Sequence, residues 1–308
     1  MPGISDVTTA QLRYFVEAAD NLSMTRASEN LMVAQSAVSS SVAQLERAIG
    51  VQLFIRKPAK GLILTAAGER LHREARGLLA SLEEALESAR GLVNEVAGTV
   101  TLACFVTLVP FFIPSLLSHL GARHPQLRVD VIETDSDAMM SALHAGRAEL
   151  GLGYAFGASQ AVRAEQVGTA KPYALVSERH RLARSKSVSL DQLRREPMIL
   201  LDLPVSRDYF LDMFRATGDE PGIRYLSGNY ETVRSLVAQG QGFSILNQMP
   251  ASSVTYSGKS VVNLEIREEV PSLPLVISTL DGVRSTARSR AVSDGIRAVV
   301  RSRADRAQ

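Results

Sequence analysis

Ser23-Met24-Thr25-Arg26-Ala27-Ser28-Glu29-Asn30-Leu31-Met32-Val33-Ala34-Gln35-Ser36-Ala37-Val38-Ser39-Ser40-Ser41-Val42-Ala43-Gln44-Leu45-Glu46-Arg47-Ala48-Ile49 is the stretch on which the fold turns. Ser23 is placed to cap a short helix running through Ala27 to Leu31. Met32 to Ala34 break it, and Val38, Val42, Leu45 and Ile49 then recur at helical spacing in a second helix over 35–49. Two short helices across a tight turn make a helix-turn-helix. The opposite face of the second helix carries Gln35, Ser36, Ser39, Ser40 and Ala43, small or amide side chains that can approach a base edge closely. Gln pairs bidentately with adenine and Ser bonds several base edges, so Gln35, Ser36, Ser39 and Ser40 are candidate base readers. A solvated face of small residues is the plain alternative. Ser is a poor interior helix former, however, and Ser36 with Ser39 to Ser41 weakens this helix more than a purely structural surface would require.

Working outward, Thr8 or Thr9 can cap an earlier helix whose Leu12, Phe15, Val16 and Ala19 form one buried face. Downstream, Arg47 to Lys60 contains four cations and no acid. Lys57-Pro58-Ala59-Lys60-Gly61 reads as a turn between strands over 52–55 and 62–65, a hairpin wing with cations near its tip. Arg56, Lys57 and Lys60 there can meet phosphates, which fix register and add affinity without reading sequence. A merely soluble hairpin fits the same residues.

Leu12-Arg13-Tyr14-Phe15, Met24-Thr25-Arg26-Ala27-Ser28, Gln35-Ser36-Ala37-Val38-Ser39, Gln44-Leu45-Glu46, Gly50-Val51-Gln52-Leu53-Phe54 with Arg56, and Leu64-Thr65-Ala66-Ala67-Gly68 together resemble the DNA-binding domain of LysR-type transcriptional regulators in order and spacing. The resemblance implies Thr25 and Arg26 as further backbone contacts, double-stranded DNA and RNA polymerase as partners, and a dimer assembling into a tetramer. Ala34 departs from it, standing where that family often has a capping Ser.

Thr65 can cap a long helix from Ala66 to about Ala97, in which Leu71, Leu78, Ala85, Leu92 and Ala75, Leu82, Ala89, Val96 form unbroken heptad series. A helix of this length spans roughly 45 Å, more than a winged domain covers. Pairing with a second copy through Leu71, Leu78, Leu82 and Leu92 is expected, a helix packed on its own chain being the alternative.

From Gly98 onward strands alternate with helices, first over 99–105, 128–133 and 150–154, then over 173–177, 198–201, 223–226 and 243–246, with a late strand over 273–280 returning to the first set. The fold class is therefore α/β: a winged helix-turn-helix over 1–65, a linker helix over 66–97, and a two-lobed α/β domain over 98–308. Lobe 1 takes about 98–168 and 272–308, and lobe 2 about 169–271. His124-Pro125, the stretches 143–151 and 172–182, and Val237 to Phe243 are similar to the effector-binding domain of the same regulators, which resembles periplasmic solute-binding proteins. Strand ends between the lobes offer Thr107, Tyr154, Phe156, Asp202, Ser206, Asn229 and Asn247 to a small-molecule effector. Hydroxyls, amides and helix N-termini suit a small organic acid, although any one of these residues equally suits a loop cap.

Composition bounds the alternatives. The 308 residues are 45% hydrophobic and 21% charged, with net charge +2, as in an ordinary globular chain. Residues 1–97 hold 10 cations against 11 acids, so overall charge makes no case for nucleic acid and local placement must. There is no export signal at the start and no apolar run of bilayer length, which points to the cytoplasm and away from a membrane. The five histidines are scattered without metal-ligand spacing, and neither a nucleophile elbow nor a phosphate-binding glycine loop is present. No catalysis, metal or cofactor is expected. Cys104 is a buried apolar residue on this reading, with a redox sensor as the alternative. A solute-binding protein of the same lobed fold is the rival reading, but it leaves residues 8–65 without a purpose.

Overall fold

Helix α1 (Thr9–Asn21) opens with a reciprocal cap, Gln11 N–H donating to Thr8 Oγ1 and Thr8 N–H to Gln11 Oε1. The computed structural model describes residues 7–57, 61–89, 96–155, 162–215, 218–283 and 285–307, without the side chains of Arg56, Lys57, Glu84, 87–89, 306 and 307. Helix α2 (Met24–Leu31) is capped by Ser23, and α3 (Gln35–Ile49) starts at Ala34 without a side-chain cap. Phe15, Val38, Val42 and Leu45 are wholly buried where the three helices cross, as their spacing requires.

The wing pairs β1 (Phe54–Lys57) antiparallel with β2 (Gly61–Leu64), two residues later in β1 and one earlier in β2 than the sequence suggests. The shift has a cause in the fold. Glu46 Oε1 accepts Leu53 N–H at 2.8 Å and Phe54 N–H at 3.2 Å, tying the hairpin's entry to α3 instead of to its partner strand. Leu62 N–H likewise donates to Leu22 O at 3.0 Å. Helix α4 (Ala66–Ala89) is capped by Thr65, whose Oγ1 accepts Gly68 N–H. A Cβ on Gly68 would lie 2.1 Å from Leu53 O, so only glycine lets α4 start against the wing.

The described part of α4 spans roughly 36 Å. The helix was expected to reach Ala97, but Val96 and Ala97 are not helical. Gly98, at φ +94°, starts the next strand and donates its N–H to Gln126 O.

Lobe 1 contains β3 (Gly98–Phe105), α5 (Val109–Arg123), β4 (Leu127–Thr134), α6 (Ser136–His144), β5 (Leu150–Tyr154) and β6 (Val162–Ala170). Lobe 2 continues with β7 (Tyr173–Ser177), β8 (Ser187–Val188), α7 (Leu190–Leu193), β9 (Met198–Leu201), α8 (Ser206–Arg215), β10 (Ile223–Ser227), α9 (Tyr230–Ala238), β11 (Ser244–Leu246) and β12 (Val261–Ile266). The chain then returns with β13 (Leu273–Leu280) and α10 (Ala287–Ala307) to lobe 1. Among the described residues the lobe 1 sheet runs β4-β3-β5-β13-β6, with β13 antiparallel to its neighbours. Lobe 2 has β11-β7-β12-β8 and the pair β10-β9, joined by a bridge from Met198 to Phe243.

Strands β6, β8 and β12 were not expected. β6 is polar and mostly exposed, and it is held by its pairing with the whole of β13. Each lobe has its own core, one around Leu102, Leu116, Leu152 and Ile296, the other around Leu175, Ile199, Phe214 and Phe243. The final helix buries Val292, Ile296, Val299 and Val300.

Replacing Glu46 with Ala leaves two hairpin N–H groups without their charged acceptor. The expected loss is about 1.5–3 kcal/mol in the stability of the N-terminal domain, measured by denaturant unfolding. A loss below about 0.5 kcal/mol would mean that the wing is held by its apolar contacts alone.

Candidate functional site

Two places gather the candidate residues. In the first, Gln35 and Ser36 are exposed on the opening turn of α3, Ser40 is exposed and donates to Ala37 O, and Ser39 is half-buried. Val38, Val42 and Leu45 anchor the opposite face, so the small polar face points outward. The first turn of α3 has no acidic residue, leaving its N-terminal dipole uncancelled toward an anion. Thr25 and Arg26 are exposed at the start of α2. Arg56 and Lys57 end β1, opposite Leu62 and Gly61, and their side chains lie outside the described residues, as does all of Lys60.

The helix that carries this unit away is fixed to it. His72 Nε2 lies 2.8 Å from Asp20 Oδ1, and Arg76 Nη1 donates to the same oxygen at 2.9 Å. His72 also meets Phe15 edge-on. Leu71, expected on a self-pairing seam, packs instead against the winged domain of its own chain. Leu78, Leu82 and Leu86 are 55%, 37% and 51% exposed and form an uncovered apolar stripe at four-residue spacing. Leu92 lies outside the described residues.

The second place is the seam between the lobes. Thr107, Tyr154, Ser206 and Asn247 converge there, joined by residues that the sequence did not single out: Phe105, Phe210, Tyr230 and Gln248. Asp202 and Asn229 lie outside this lining. Asp202 faces Arg207, and Asn229 is the exposed cap of α9, accepting Thr232 N–H. Phe156 lies outside the described residues. Tyr230 and Gln248 each sit one residue from a named candidate: helix orientation turns Tyr230 inward in place of Asn229, while Gln248 lines the cleft beside Asn247.

The cleft holds only about 20 Å³, room for about one water. Its own side chains fill it. Tyr173 and Tyr230 hydroxyls both donate to Gln248 O, Gln248 Nε2 donates to Tyr154 Oη at 3.3 Å, and Asn247 Nδ2 donates to Tyr209 Oη at 3.0 Å. Tyr154 belongs to lobe 1 and Gln248 to lobe 2, so this network latches the lobes together. Phe111 against Tyr230 adds an aromatic contact across the same seam. Burial pushes the Tyr154, Tyr209 and Tyr230 phenols up to about 12 and raises Tyr173 well above the ordinary phenol range, so all four remain protonated. Among the described residues no ionic side chain lines the pocket. Val205, just before Ser206, holds φ +67°, a strained conformation for a β-branched residue.

Cys104 is wholly buried in β3, and burial pushes its thiol up to about 12, with Glu133 adding to the rise. Among the described residues no group of His, Cys, Asp and Glu could hold a metal ion.

Residues 9–69 match the model of the bacterial regulatory helix-turn-helix proteins of the lysR family, and residues 94–301 match that of the LysR substrate binding domain. The chain is 31% identical to the transcriptional regulator CfxR of Cupriavidus necator, over 78% of this chain and 76% of that one. It is 24% identical to the hydrogen peroxide-inducible genes activator of Haemophilus influenzae, over 77% and 79% respectively. Among solved structures it is similar to HinK, a LysR family transcriptional regulator from Pseudomonas aeruginosa, with TM-score 0.64 and 34% identity, over 95% of this chain and 98% of that one.

In the native protein Cys104 is expected to resist Ellman's reagent at pH 8 and to react only after unfolding, because the thiolate fraction there is on the order of one in ten thousand. Reaction of the folded protein within minutes would contradict a closed lobe 1 core.

Proposed function

The chain belongs to the lysR family of bacterial helix-turn-helix regulators, and from that premise we propose how it works. It is a DNA-binding transcriptional regulator with a small-molecule effector-binding domain. In our reading α3 lies in the major groove with Gln35, Ser36, Ser39 and Ser40 at base edges, while Thr25, Arg26, Arg56, Lys57 and Lys60 take phosphates. The outward small polar face of α3 supports the first assignment. The second rests on the wing's position beside it.

Two copies pair through α4. Leu78, Leu82 and Leu86, about half-exposed in one chain, gain roughly 1 kcal/mol apiece when covered, a contribution from both helices that offsets part of the cost of association. Tetramer assembly draws support from the edge strand β10, where Ile223, Tyr225 and Leu226 stay exposed on a strand edge that needs covering. Contact with RNA polymerase and a cytoplasmic location follow from the family's work on DNA. No helix among the described residues is long and apolar enough to cross a membrane.

The effector of the interlobe cleft is an uncharged, hydrogen-bonding molecule, in place of the organic acid expected from the strand ends. A buried carboxylate without a cation is costly, whereas protonated phenols and amides both donate and accept. Peroxide sensing through a thiol does not fit, since Cys104 is the only cysteine and is sealed. Ligand entry breaks the Tyr154–Gln248 latch and shifts the lobes to a second arrangement. Because Asp20 holds α4 to the winged domain, a turn of lobe 1 relative to α4 respaces the paired wings.

The observation that carries this reading is a groove-sized polar helix face locked to a rod whose apolar stripe awaits a twin. DNase I footprints and bend angles on the protein's own promoter test it, with and without a small molecule that raises the protein's melting temperature. The two states are expected to differ, and identical footprints with identical bends would reject the switch. Gln35→Ala should cost about 1–3 kcal/mol of base discrimination. Lys57→Ala should weaken all duplexes alike and lower the salt slope by about one.

A further inference from the structure

Gln248, Met249 and Pro250 follow β11 outside any strand or helix, so their carbonyls turn to side-chain donors. Gln248 O takes the Tyr173 and Tyr230 hydroxyls of its own lobe. Met249 O takes its donor from the other lobe: Arg303 Nη2, near the end of α10, lies 2.8 Å away. A guanidinium on a carbonyl is charge-assisted, and stronger than the neutral bond at 3.3 Å from Gln248 to Tyr154.

Two rings set that guanidinium in place. Its central carbon lies 4.8 Å from the Phe111 ring centre and 5.6 Å from that of Phe112, within the range of cation–π attraction. Both rings belong to the first turn of α5. Phe112 is buried and Phe111 half-buried, so they are fixed parts of lobe 1. An arginine confined against them loses little further freedom when it meets a carbonyl. Phe111 also meets Tyr230 of lobe 2 edge-on, with ring centres 5.7 Å apart. One ring therefore supports Arg303 and borders the cleft at once.

The two cross-lobe bonds converge on one two-residue segment. Tyr154 reaches buried Gln248 from β5, and Arg303 reaches Met249, which is 48% exposed, from α10. Tyr154 thus closes the interior of the seam and Arg303 its rim. Anything entering from solvent meets the rim first.

We propose that Arg303 is a positioning residue for the effector switch: seated on Phe111 and Phe112, it clasps the Met249 carbonyl and holds the interlobe cleft shut. This rests on the reading that effector entry parts the lobes. An effector then has to release the clasp along with the Tyr154–Gln248 bond. The clasp sets how much of the protein is open before any ligand arrives, and the apparent affinity of the cleft falls in proportion to that fraction.

Thiol accessibility in the full-length protein tests it without any ligand. Ser206 lines the cleft and is 4% exposed, so a thiol placed there by Ser206→Cys reacts with Ellman's reagent only when the lobes part. Cys104, sealed in lobe 1, serves as the internal control. With reagent attack slower than reclosure, the rate follows the open fraction. Adding Arg303→Ala should raise the rate at position 206 about fivefold, the rim's exposure to water holding the gain down. Arg303→Lys keeps a cation over the rings but loses the planar fork, and should raise it about twofold. Arg301→Ala, at an exposed position of the same helix, should leave it unchanged, and one thiol per chain should react throughout. An unchanged rate in Arg303→Ala, beside an increase of about threefold in Gln248→Ala, would overturn the clasp and leave the cleft reading standing. Unchanged rates in both variants would overturn the two together. Two thiols reacting per chain in Arg303→Ala would make Arg303 a support of the lobe 1 core, and would overturn the proposal as well.

Discussion

One carboxylate, that of Asp20, holds the working parts in register. It accepts from Arg76 and meets His72, two residues one turn apart on α4, with His72 almost wholly buried beside Phe15. A single oxygen shared between two side chains of a helix fixes both its rotation and its distance. The winged unit and the base of α4 therefore move together. Without that grip the linker helix could swivel on Thr65, and a change in the distal lobes would dissipate before reaching α3.

The same helix is shared between two demands. Its first turns bury Ala75 and half-bury Leu71 inside the chain, while Leu78, Leu82 and Leu86 remain uncovered further along. One heptad pattern thus serves intramolecular packing near the wing and leaves an uncovered apolar stripe beyond it. From Gly77 onward the helix also approaches lobe 1, through Val283 against Gly77 and the loose Arg288–Glu83 pair. Contacts this slight can be exchanged at small cost, as a joint between moving bodies requires.

The interlobe seam follows a different logic. Its polar groups satisfy one another, so the shut state is stable without a ligand, and each hydrogen bond contributes about 0.5–1.5 kcal/mol net. A ligand that replaces these bonds one for one opens the latch at little cost. Four phenols held protonated by burial make the seam insensitive to pH through the neutral range.

How much of this was legible depends on whether the physics was local. Helical spacing placed α1, α2 and α3, with side-chain caps marking the first two, and β5, β7, β9 and β13 fall where apolar runs lie between turn signals. Such patterns report which face of an element is buried, and the sequence alone carries them. β6 was invisible because it is polar and survives on its partner's hydrogen bonds, while Val96 and Ala97 leave the helical pattern because Gly98 is drawn into a sheet formed with distant Leu127. The meeting of Tyr230 with Gln248 and the grip of Arg303 on Met249 exist only once segments far apart in the chain are brought together. Burial pattern is a property of neighbours in sequence and can be read there. Which polar groups end up facing one another, and which are left without a partner, depends on how the lobes pack and is decided by the tertiary structure.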